Sequence, residues 1–364
     1  MPSSSSSFAR QRRRLLCAAA TLPPALVLGA CGGGGSGGGP GPVLPPPSGA
    51  VTVTDRRVPL AAGVSLHVRD WQSSPADGIT FVLLPGFGAT ALHFNSLAPA
   101  LARRGRVIAI SCRGFGQSDK PLPDATWRYD TDALVDDVHT VLEALAPGRV
   151  VLGGHSIAGN QVTRFAGRYP QRVRGLMYLD TNFDYTSQPD DGGQKESDNP
   201  TLSEPLLTEA DTASVATAIA YFKRINRNWY PPMEADLLDK LDVRADGSVQ
   251  INTPDALALD LYTAARRFSP DYRPLQVPAL VFTALPGDRR DMFPWLPAAL
   301  DATTEKDAAD MVRLLRRARH TDAERLFAAL PAGSQRMTFD PATHPDFFMA
   351  HETEVLRLVD AMTW

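Results

Sequence analysis

Short apolar runs recur along most of this chain, and segments with helical periodicity separate them. The first two runs, Val51–Val58 and Val64–Trp71, are predicted to form a hairpin that turns near Gly63. The later runs are continuous, which is typical of strands buried on both faces: Ile79–Leu84, Val107–Ile110, Arg149–Leu152, Gly175–Leu179 and Ala279–Thr283. Helices are predicted at Asn95–Arg103, Thr131–Ala146 and Gln161–Tyr169, and a late strand, Arg336–Phe339, precedes a final helix, Asp346–Ala361. This alternation predicts an α/β fold with a mostly parallel sheet covered by helices on both faces.

Residues 185–272 depart from this rhythm. They hold a polar segment followed by helical runs, with no obvious strand among them: Thr212–Ile225, Pro232–Leu241 and Pro254–Arg267. Helices inserted between two strands of such a sheet are expected to lie over the carboxyl ends of the strands as a lid. The predicted organisation is therefore a core in two parts, residues 51–184 and 273–364, with a helical lid at 185–272. A further helical region, Leu300–Leu330, separates the last two strands.

The first 31 residues have the pattern of an export signal. Arg12, Arg13 and Arg14 give a positive start, and the apolar stretch from Leu15 to Ala30 is too short to span a bilayer comfortably. The stretch ends in Leu-Gly-Ala-Cys31, which resembles the bacterial lipobox. That resemblance implies that Cys31 is lipidated and becomes the first residue of the mature protein. The alternative is an ordinary signal peptide cleaved nearby, and the arginine run also resembles a twin-arginine export signal.

Residues 32–50 are almost wholly Gly, Ser and Pro. Such a stretch buries too little apolar surface to offset its ordering entropy, so a flexible tether is predicted. A tether directly after a lipidated cysteine would hold the folded domain clear of a membrane. The expected location is the bacterial cell envelope, facing the periplasm or on the outer membrane.

Composition narrows the functional classes to which the protein can belong. The chain of 364 residues has a formal net charge of −3 and shows no basic stripe with interleaved aromatic residues, so nucleic acid is a poor candidate partner. Cys112 is the one cysteine beyond the leader, so stability must come from core packing and not from an intradomain disulfide. Cys112 itself is expected to be a small buried residue at a strand end.

The strongest local motif is Gly154-His155-Ser156-Ile157-Ala158-Gly159, which directly follows an apolar strand and precedes a helical segment. This arrangement resembles the nucleophile elbow of the α/β-hydrolase superfamily, in which a serine lies on a strained strand-to-helix turn. Small residues on either side, Gly154 and Ala158, allow such a turn to close. The superfamily more often has Gly at the second of these places. The resemblance implies that Ser156 is the nucleophile.

A second motif, Leu84-Pro85-Gly86-Phe87-Gly88, follows the strand Ile79–Leu84 and resembles the oxyanion-hole loop of the same superfamily. The usual member has His where this chain has Pro85, but the hydrogen-bond donor there is a backbone N–H. By position, the backbone N–H groups of Phe87 and Ile157 are predicted to bind the developing oxyanion. A third familiar loop, Arg113–Pro121, is structural in this superfamily. The resemblance extends from about Val51 to Trp364.

A serine hydroxyl needs a base within hydrogen-bond reach, and the superfamily orders its triad as Ser, acid, His. His344 follows the last predicted strand and precedes the final helix, where the superfamily places its base. The other histidines fit less well, because they precede the serine, pack beside it, or lie within helices: His67, His93, His139, His155, His320 and His351. His344 is therefore the predicted base.

The acid is expected in the loop after the strand Ala279–Thr283. Asp288 is closest to the superfamily's usual place, although this loop is about one residue longer than common. Asp291 is a second candidate in the same loop. Asp180, after the strand Gly175–Leu179, is a third, because some relatives carry the acid there.

The favoured reaction is hydrolysis of carboxylic esters or lactones of small to medium apolar substrates through an acyl-enzyme, with no cofactor and no metal. Other serine chemistry of the superfamily stays open: aminopeptidase, carbon–carbon bond hydrolase or cofactor-free haloperoxidase. A carboxylate replaces the serine in the dehalogenase and epoxide-hydrolase relatives, which argues against those activities. The predicted lid contains several aromatic residues: Tyr221, Phe222, Trp229, Tyr230 and Tyr262. These side chains either form apolar walls of a substrate pocket or pack the lid helices against one another. A low-turnover small-ligand sensor and a structural envelope lipoprotein are the non-enzymatic alternatives, and the oligomeric state is open.

Overall fold

The computed structural model describes residues 50–73, 78–181, 184, 186 and 199–364. The predicted leader, Cys31 and all but the last residue of the tether lie outside the described residues. An eight-stranded sheet in the order β1-β2-β4-β3-β5-β6-β9-β10 forms the centre of the molecule. Its strands are β1 Thr52–Pro59, β2 Ser65–Gln72, β3 Thr80–Leu84, β4 Arg106–Ile110, β5 Val150–His155, β6 Val173–Leu179, β9 Ala279–Ala284 and β10 Gln335–Phe339. This is the sheet that the apolar runs predicted.

Strand direction follows the burial pattern of the sequence. The pairs β1–β2 and β2–β4 are antiparallel, and the remaining pairs from β4 to β10 are parallel. Every residue of β5 is buried, whereas β1, at the sheet edge, exposes nearly all of its side chains. A strand buried on both faces reads as a continuous apolar run, and only an edge strand tolerates so polar a sequence as Thr-Asp-Arg-Arg.

Helices cover both faces of the sheet. They are α1 Leu97–Ala102, α2 Thr131–Leu145, α3 Ala158–Arg168, α4 Val215–Ile225, α5 Pro231–Asp239, α6 Asp255–Ala265, α7 Arg289–Met292, α8 Ala302–Ala329, α9 Phe347–Ala350 and α10 Glu352–Ala361. Helices α2 and α3 pack on one face with Val82 and Leu84, and α1, α9 and α10 pack on the other with Phe81 and Leu83. Among the described residues, no helix combines the length and apolar character needed to cross a bilayer.

The insertion between β6 and β9 contains α4, α5, α6 and a short antiparallel hairpin, β7 Leu241–Val243 with β8 Val249–Ile251. The expectation of no strand in this stretch was therefore wrong. An Asp246-Gly247-Ser248 turn closes the hairpin: Gly247 has a φ of +83°, and the Asp246 carboxylate accepts from both the backbone N–H and the hydroxyl of Ser248. Asp-Gly between apolar residues is a hairpin signal, and strands this short leave little else to detect.

The insertion lies against loops that follow strand carboxyl ends. The Asp236 carboxylate of α5 accepts from Thr90 N at 2.6 Å, beyond β3, and the Thr253 hydroxyl donates to Gly114 O at 2.8 Å, beyond β4. Asn228, between α4 and α5, donates to Asp346 beyond β10. These contacts place the insertion beside the loops that carry the predicted catalytic residues.

Candidate active site

Ser156 lies on a sharp turn between β5 and α3. Its φ is +56°, a left-handed backbone conformation that is strained for a residue with a side chain. The turn is held by Ser156 N donating to Leu179 O and by Gly159 N donating to Ser156 O. A Cβ at Gly154 would lie 2.9 Å from Ala158 O, and one at Gly159 would lie 1.9 Å from the Thr181 hydroxyl. The turn therefore requires the small residues that the motif supplies.

The loop after β3 lies directly against this turn. A Cβ at Gly86 would be 3.0 Å from Ser156 Cβ and 3.0 Å from His155 Nδ1. The loop that carries Phe87 and the turn that carries Ile157 thus meet at Ser156. The two backbone N–H groups stay the predicted oxyanion donors.

His344 is paired with Asp180. The Asp180 Oδ2 atom is 2.5 Å from His344 Nδ1, and both side chains are buried. Asp180 directly follows β6 and has a φ of +47°. Its Oδ1 atom accepts from Ala284 N at 2.9 Å, at the end of β9. The structure therefore pairs His344 with Asp180, the acid candidate that follows β6.

Asp288, the first choice of acid, was wrong. Its exposed carboxylate caps the short helix α7 by accepting from Arg290 N at 2.7 Å. Asp291, the second candidate in that loop, accepts from Gly287 N at 2.7 Å and pairs with Arg227 of the insertion. The extra length of this loop winds it into a capped turn of helix, so both carboxylates are used locally while Asp180 contacts the histidine.

Arg319 is a site residue that sequence reasoning missed. This arginine of α8 donates to Asp180 Oδ2 at 2.5 Å and to Ala284 O at 2.7 Å. Burial opposes ionisation of Asp180, but Arg319 and His344 outweigh it and hold the pKa of Asp180 below its usual value. The carboxylate is therefore charged over the neutral pH range and can orient His344.

Two further histidines hold the backbone of the base loop, which is the segment after β10 that carries His344 and Pro345. His155 Nε2 donates to His344 O at 3.0 Å, and His93 Nε2 donates to Pro345 O at 2.9 Å. The two imidazole rings stack on each other, and the His155 ring centroid is 4.6 Å from that of His344. Burial lowers the pKa of both residues, that of His155 well below its usual value. Neutral rings can donate from Nε2 here, so His155 positions the base loop as well as packing beside the serine.

Apolar side chains of the insertion adjoin the oxyanion loop. The Phe87 ring is 5.9 Å from the Tyr262 ring and 5.8 Å from the Phe115 ring. Leu257 and Leu261 of α6 belong to the same buried cluster, which also includes Ile157. The lid helix therefore gives the neighbourhood of Ser156 an apolar wall.

Cys112 is a poor candidate for a second nucleophile. Burial raises the pKa of its thiol to about 12, so the reactive thiolate is scarce at neutral pH. Arg113 beside it stacks on Trp127 and Tyr129 and pairs with Asp137. This part of the loop after β4 is a packed structural element.

The chain is similar to known hydrolases. Residues 79–199 match the family described as having the alpha/beta hydrolase fold. The chain is 34% identical over 141 residues to bifunctional epoxide hydrolase 2 of Mus musculus, covering 38% of this chain and 24% of that protein. It is 30% identical over 125 residues to 2-(acetamidomethylene)succinate hydrolase of Mesorhizobium japonicum, covering 34% of this chain and 42% of that protein. The matches thus span less than half the length of either relative.

Solved structures extend the likeness to nearly the whole described chain. The crystal structure of an E-2-(acetamidomethylene)succinate hydrolase has a TM-score of 0.59 and 18% identity, covering 85% of this chain and 99% of that one. A bromoperoxidase from Bacillus anthracis has a TM-score of 0.55 at 18% identity, covering 85% and 99%. The chain therefore has the α/β-hydrolase fold, and residues 79–199 are similar to the family described by that fold.

Proposed function

We propose that this protein is a serine hydrolase that cleaves carboxylic esters or lactones through an acyl-enzyme. The observation that carries the proposal is the pairing of His344 with Asp180 across the sheet edge at which Ser156 lies on a strained turn. In the proposed reaction, His344 accepts the proton of Ser156 as the hydroxyl attacks the carbonyl carbon. The Phe87 and Ile157 N–H groups bind the oxyanion, each donor contributing about 10²–10³-fold in rate.

Asp180 keeps the His344 ring in the orientation that presents its second nitrogen to the serine, and it stabilises the imidazolium that forms. His344 then returns the proton to the leaving alcohol, which departs as the ester bond breaks. Water, deprotonated by the same base, attacks the acyl-enzyme and releases the acid and free Ser156. Every proton in this cycle passes through His344.

The serine favours acyl transfer over epoxide opening. A carboxylate nucleophile opens an epoxide to give an ester, which water can then cleave at its carbonyl. A serine would give an ether, which has no carbonyl for water to attack, so turnover would stop after one event. The likeness to epoxide hydrolases therefore supports the fold and general site, and Ser156 directs the proposal to acyl substrates.

The substrate is proposed to be small to medium in size and apolar near the scissile bond. Tyr262 and Leu261 of the insertion adjoin Phe87 of the oxyanion loop, so an acyl group entering there would contact apolar side chains. Peptidase, carbon–carbon hydrolase and haloperoxidase chemistry use related sites, and assays with the substrates of each distinguish them.

The decisive experiment measures hydrolysis of p-nitrophenyl esters from acetyl to dodecanoyl by the domain from Val51 onward. Ser156→Ala is the test variant, and Ser203→Ala, in the insertion, is the matched control. Turnover that is lost in Ser156→Ala and kept in Ser203→Ala would establish serine esterase chemistry, and the best chain length would size the pocket. Activity that survives in Ser156→Ala would refute the nucleophile. If the parent is folded but inactive toward these esters, the same variants are assayed with peptide, β-diketone and haloperoxidase substrates.

We further propose that the protein is exported and anchored to a bacterial membrane through a lipidated Cys31. Support comes from the sequence alone: the apolar stretch before Cys31 and the Gly-rich segment after it. Metabolic labelling of the full chain with an alkyne fatty acid should mark the parent and not Cys31→Ser. Equal labelling of both would refute the anchor.

A further inference from the structure

Arg319 is a buried arginine in a mostly apolar stripe of α8. The buried positions of this helix follow helical spacing: Thr304, Ala308, Val312, Leu315, Arg319, Ala323 and Leu326. The Arg319 side chain is only 4% exposed. A guanidinium at this depth is costly unless charged partners and hydrogen bonds compensate, and an apolar residue would serve packing at least as well. The position of Arg319 therefore needs a reason beyond packing.

Its contacts supply that reason. Arg319 Nη1 is 2.5 Å from Asp180 Oδ2, and the same oxygen is 2.5 Å from His344 Nδ1. The other oxygen of Asp180 accepts from Ala284 N, and Arg319 Nη1 also donates to Ala284 O. One carboxylate oxygen is thus shared by a permanent cation and the proposed base, while the end of β9 fixes the second oxygen.

We propose that Arg319 is a positioning residue of the hydrolase: it fixes the Asp180 carboxylate toward His344 and keeps the Asp180–His344 pair unprotonated at lower pH. This inference rests on the proposed function. The guanidinium stays protonated at every working pH, so it repels any proton added to the pair. The repulsion acts whichever partner receives the proton. Free base therefore persists further into the acid range than an isolated pair would allow.

Within the part of the chain that the structure describes, the other groups around the pair do not supply this positive charge. They are His155 and His93 beside the base loop, Asp346 after the base, and the Arg227–Asp291 pair that lines a cavity with Arg319 and His344. Burial lowers the pKa of each of the two histidines and so favours their neutral forms. Arg227 and Asp291 offset each other. Burial raises the pKa of Asp346, which accepts from Thr343 and Asn228 and adds no positive charge.

The test follows the base without needing the natural substrate. A fluorophosphonate reacts with a serine only when its base accepts the proton, so the second-order rate of Ser156 labelling, followed by intact mass against pH, reports the free base. We compare the parent, Arg319→Gln and Arg319→Lys. The matched control is Arg316→Gln, one turn earlier on α8, where Arg316 bonds Asp340 and Pro286 O instead.

In Arg319→Gln the midpoint of the acid limb should rise by about one pH unit or more, because the positive charge that opposes protonation of the pair is removed. Its plateau rate should also fall, because the carboxylate loses a donor. Arg319→Lys keeps the charge but replaces the planar guanidinium with a shorter side chain that ends in an ammonium, so its midpoint should stay near the parent's while its plateau falls. Arg316→Gln should match the parent in both.

A folded Arg319→Gln with the parent's midpoint would overturn the inference. If Arg319→Gln does not fold, Arg319→Lys decides: a parent-like plateau would overturn the positioning role, and a reduced plateau with an unmoved midpoint would support it. A folded parent that is not labelled at Ser156 would instead refute the proposed function, and the inference with it.

Discussion

Replacing Asp180 by Asn tests which residue is the acid: Asp180, which the structure pairs with His344, or Asp288, which chain position favours. The amide is nearly isosteric, but its NH₂ group or its neutral oxygen faces His344 Nδ1, where a carboxylate oxygen stands at 2.5 Å. The ring then loses the charged acceptor that fixes its tautomer, and the imidazolium loses its counter-charge. Loss of the acid in a serine–histidine triad lowers kcat by about 10⁴-fold, and we expect a decrease of that order here.

The same substitution should also destabilise the fold, because it leaves a buried cation without its counter-charge. Asp180 and Arg319 are 0% and 4% exposed, so solvent screens their interaction very little. Breaking a buried pair from one side costs about 3–5 kcal/mol, and we expect about 3 kcal/mol since Asn keeps a hydrogen-bond acceptor. Asp180→Asn with Arg319→Met removes both charges and should recover most of that loss without restoring activity.

The assay is p-nitrophenyl ester turnover for kcat and urea denaturation for the free energy of unfolding. Asp288→Asn is the control, since the Asp288 carboxylate caps α7 and Asn is an equally good N-cap residue. This variant should keep kcat within about twofold and leave the free energy of unfolding nearly unchanged. Full activity in Asp180→Asn together with collapse of activity in Asp288→Asn would refute the acid assignment. A double variant no more stable than Asp180→Asn would refute the buried-pair argument.

Three further predictions follow from the site and its surroundings. His155→Leu removes the donor to His344 O and should lower kcat at least tenfold in a steady-state ester assay, because an unsatisfied buried carbonyl costs about 1–3 kcal/mol. An unchanged kcat would refute the positioning role of His155. Cys112→Ala should keep full activity. The folded parent should resist iodoacetamide at neutral pH, because burial raises the pKa of this thiol to about 12, and fast alkylation would contradict this prediction. Burial raises the pKa of Glu204 from 4.5 to about 7, so the folded state binds the extra proton and its stability falls as pH rises across that window. Glu204→Gln should therefore stabilise the protein by on the order of 2 kcal/mol more above the window than below it in urea titrations, and an equal effect at both ends would refute the burial argument.

Much of the fold was predictable because the sheet is buried on both faces. A strand in that setting must be apolar throughout, so β3, β5 and β9 stand out from the sequence without any tertiary information. The elbow was predictable for a related reason: the turn at a left-handed Ser156 needs small residues at positions such as Gly154 and Gly159, and these are visible in one sequence. The hairpin β7–β8 was missed because three-residue strands carry almost no periodicity.

The acid could not be chosen from chain position, because β6 and β9 are neighbouring parallel strands. Leu179 and Phe282 are partners in the ladder, so the loops after both strands open at the same edge of the sheet and both contain aspartates. What decides between them is the backbone: Asp180 turns at a φ of +47°, while the longer loop after β9 closes on itself around α7. A local pattern does not encode that difference.

A signal for the acid was nevertheless present in α8. Its buried stripe is spaced as in any amphipathic helix, and an arginine in the middle of such a stripe must meet a buried carboxylate or carry an uncompensated charge. Asp288 and Asp291 follow exposed and partly exposed turns, whereas Asp180 follows a strand that is almost entirely buried. Pairing a stripe arginine with the most deeply placed aspartate would have selected Asp180, so the charge that tunes the proposed triad is also the one that identifies it.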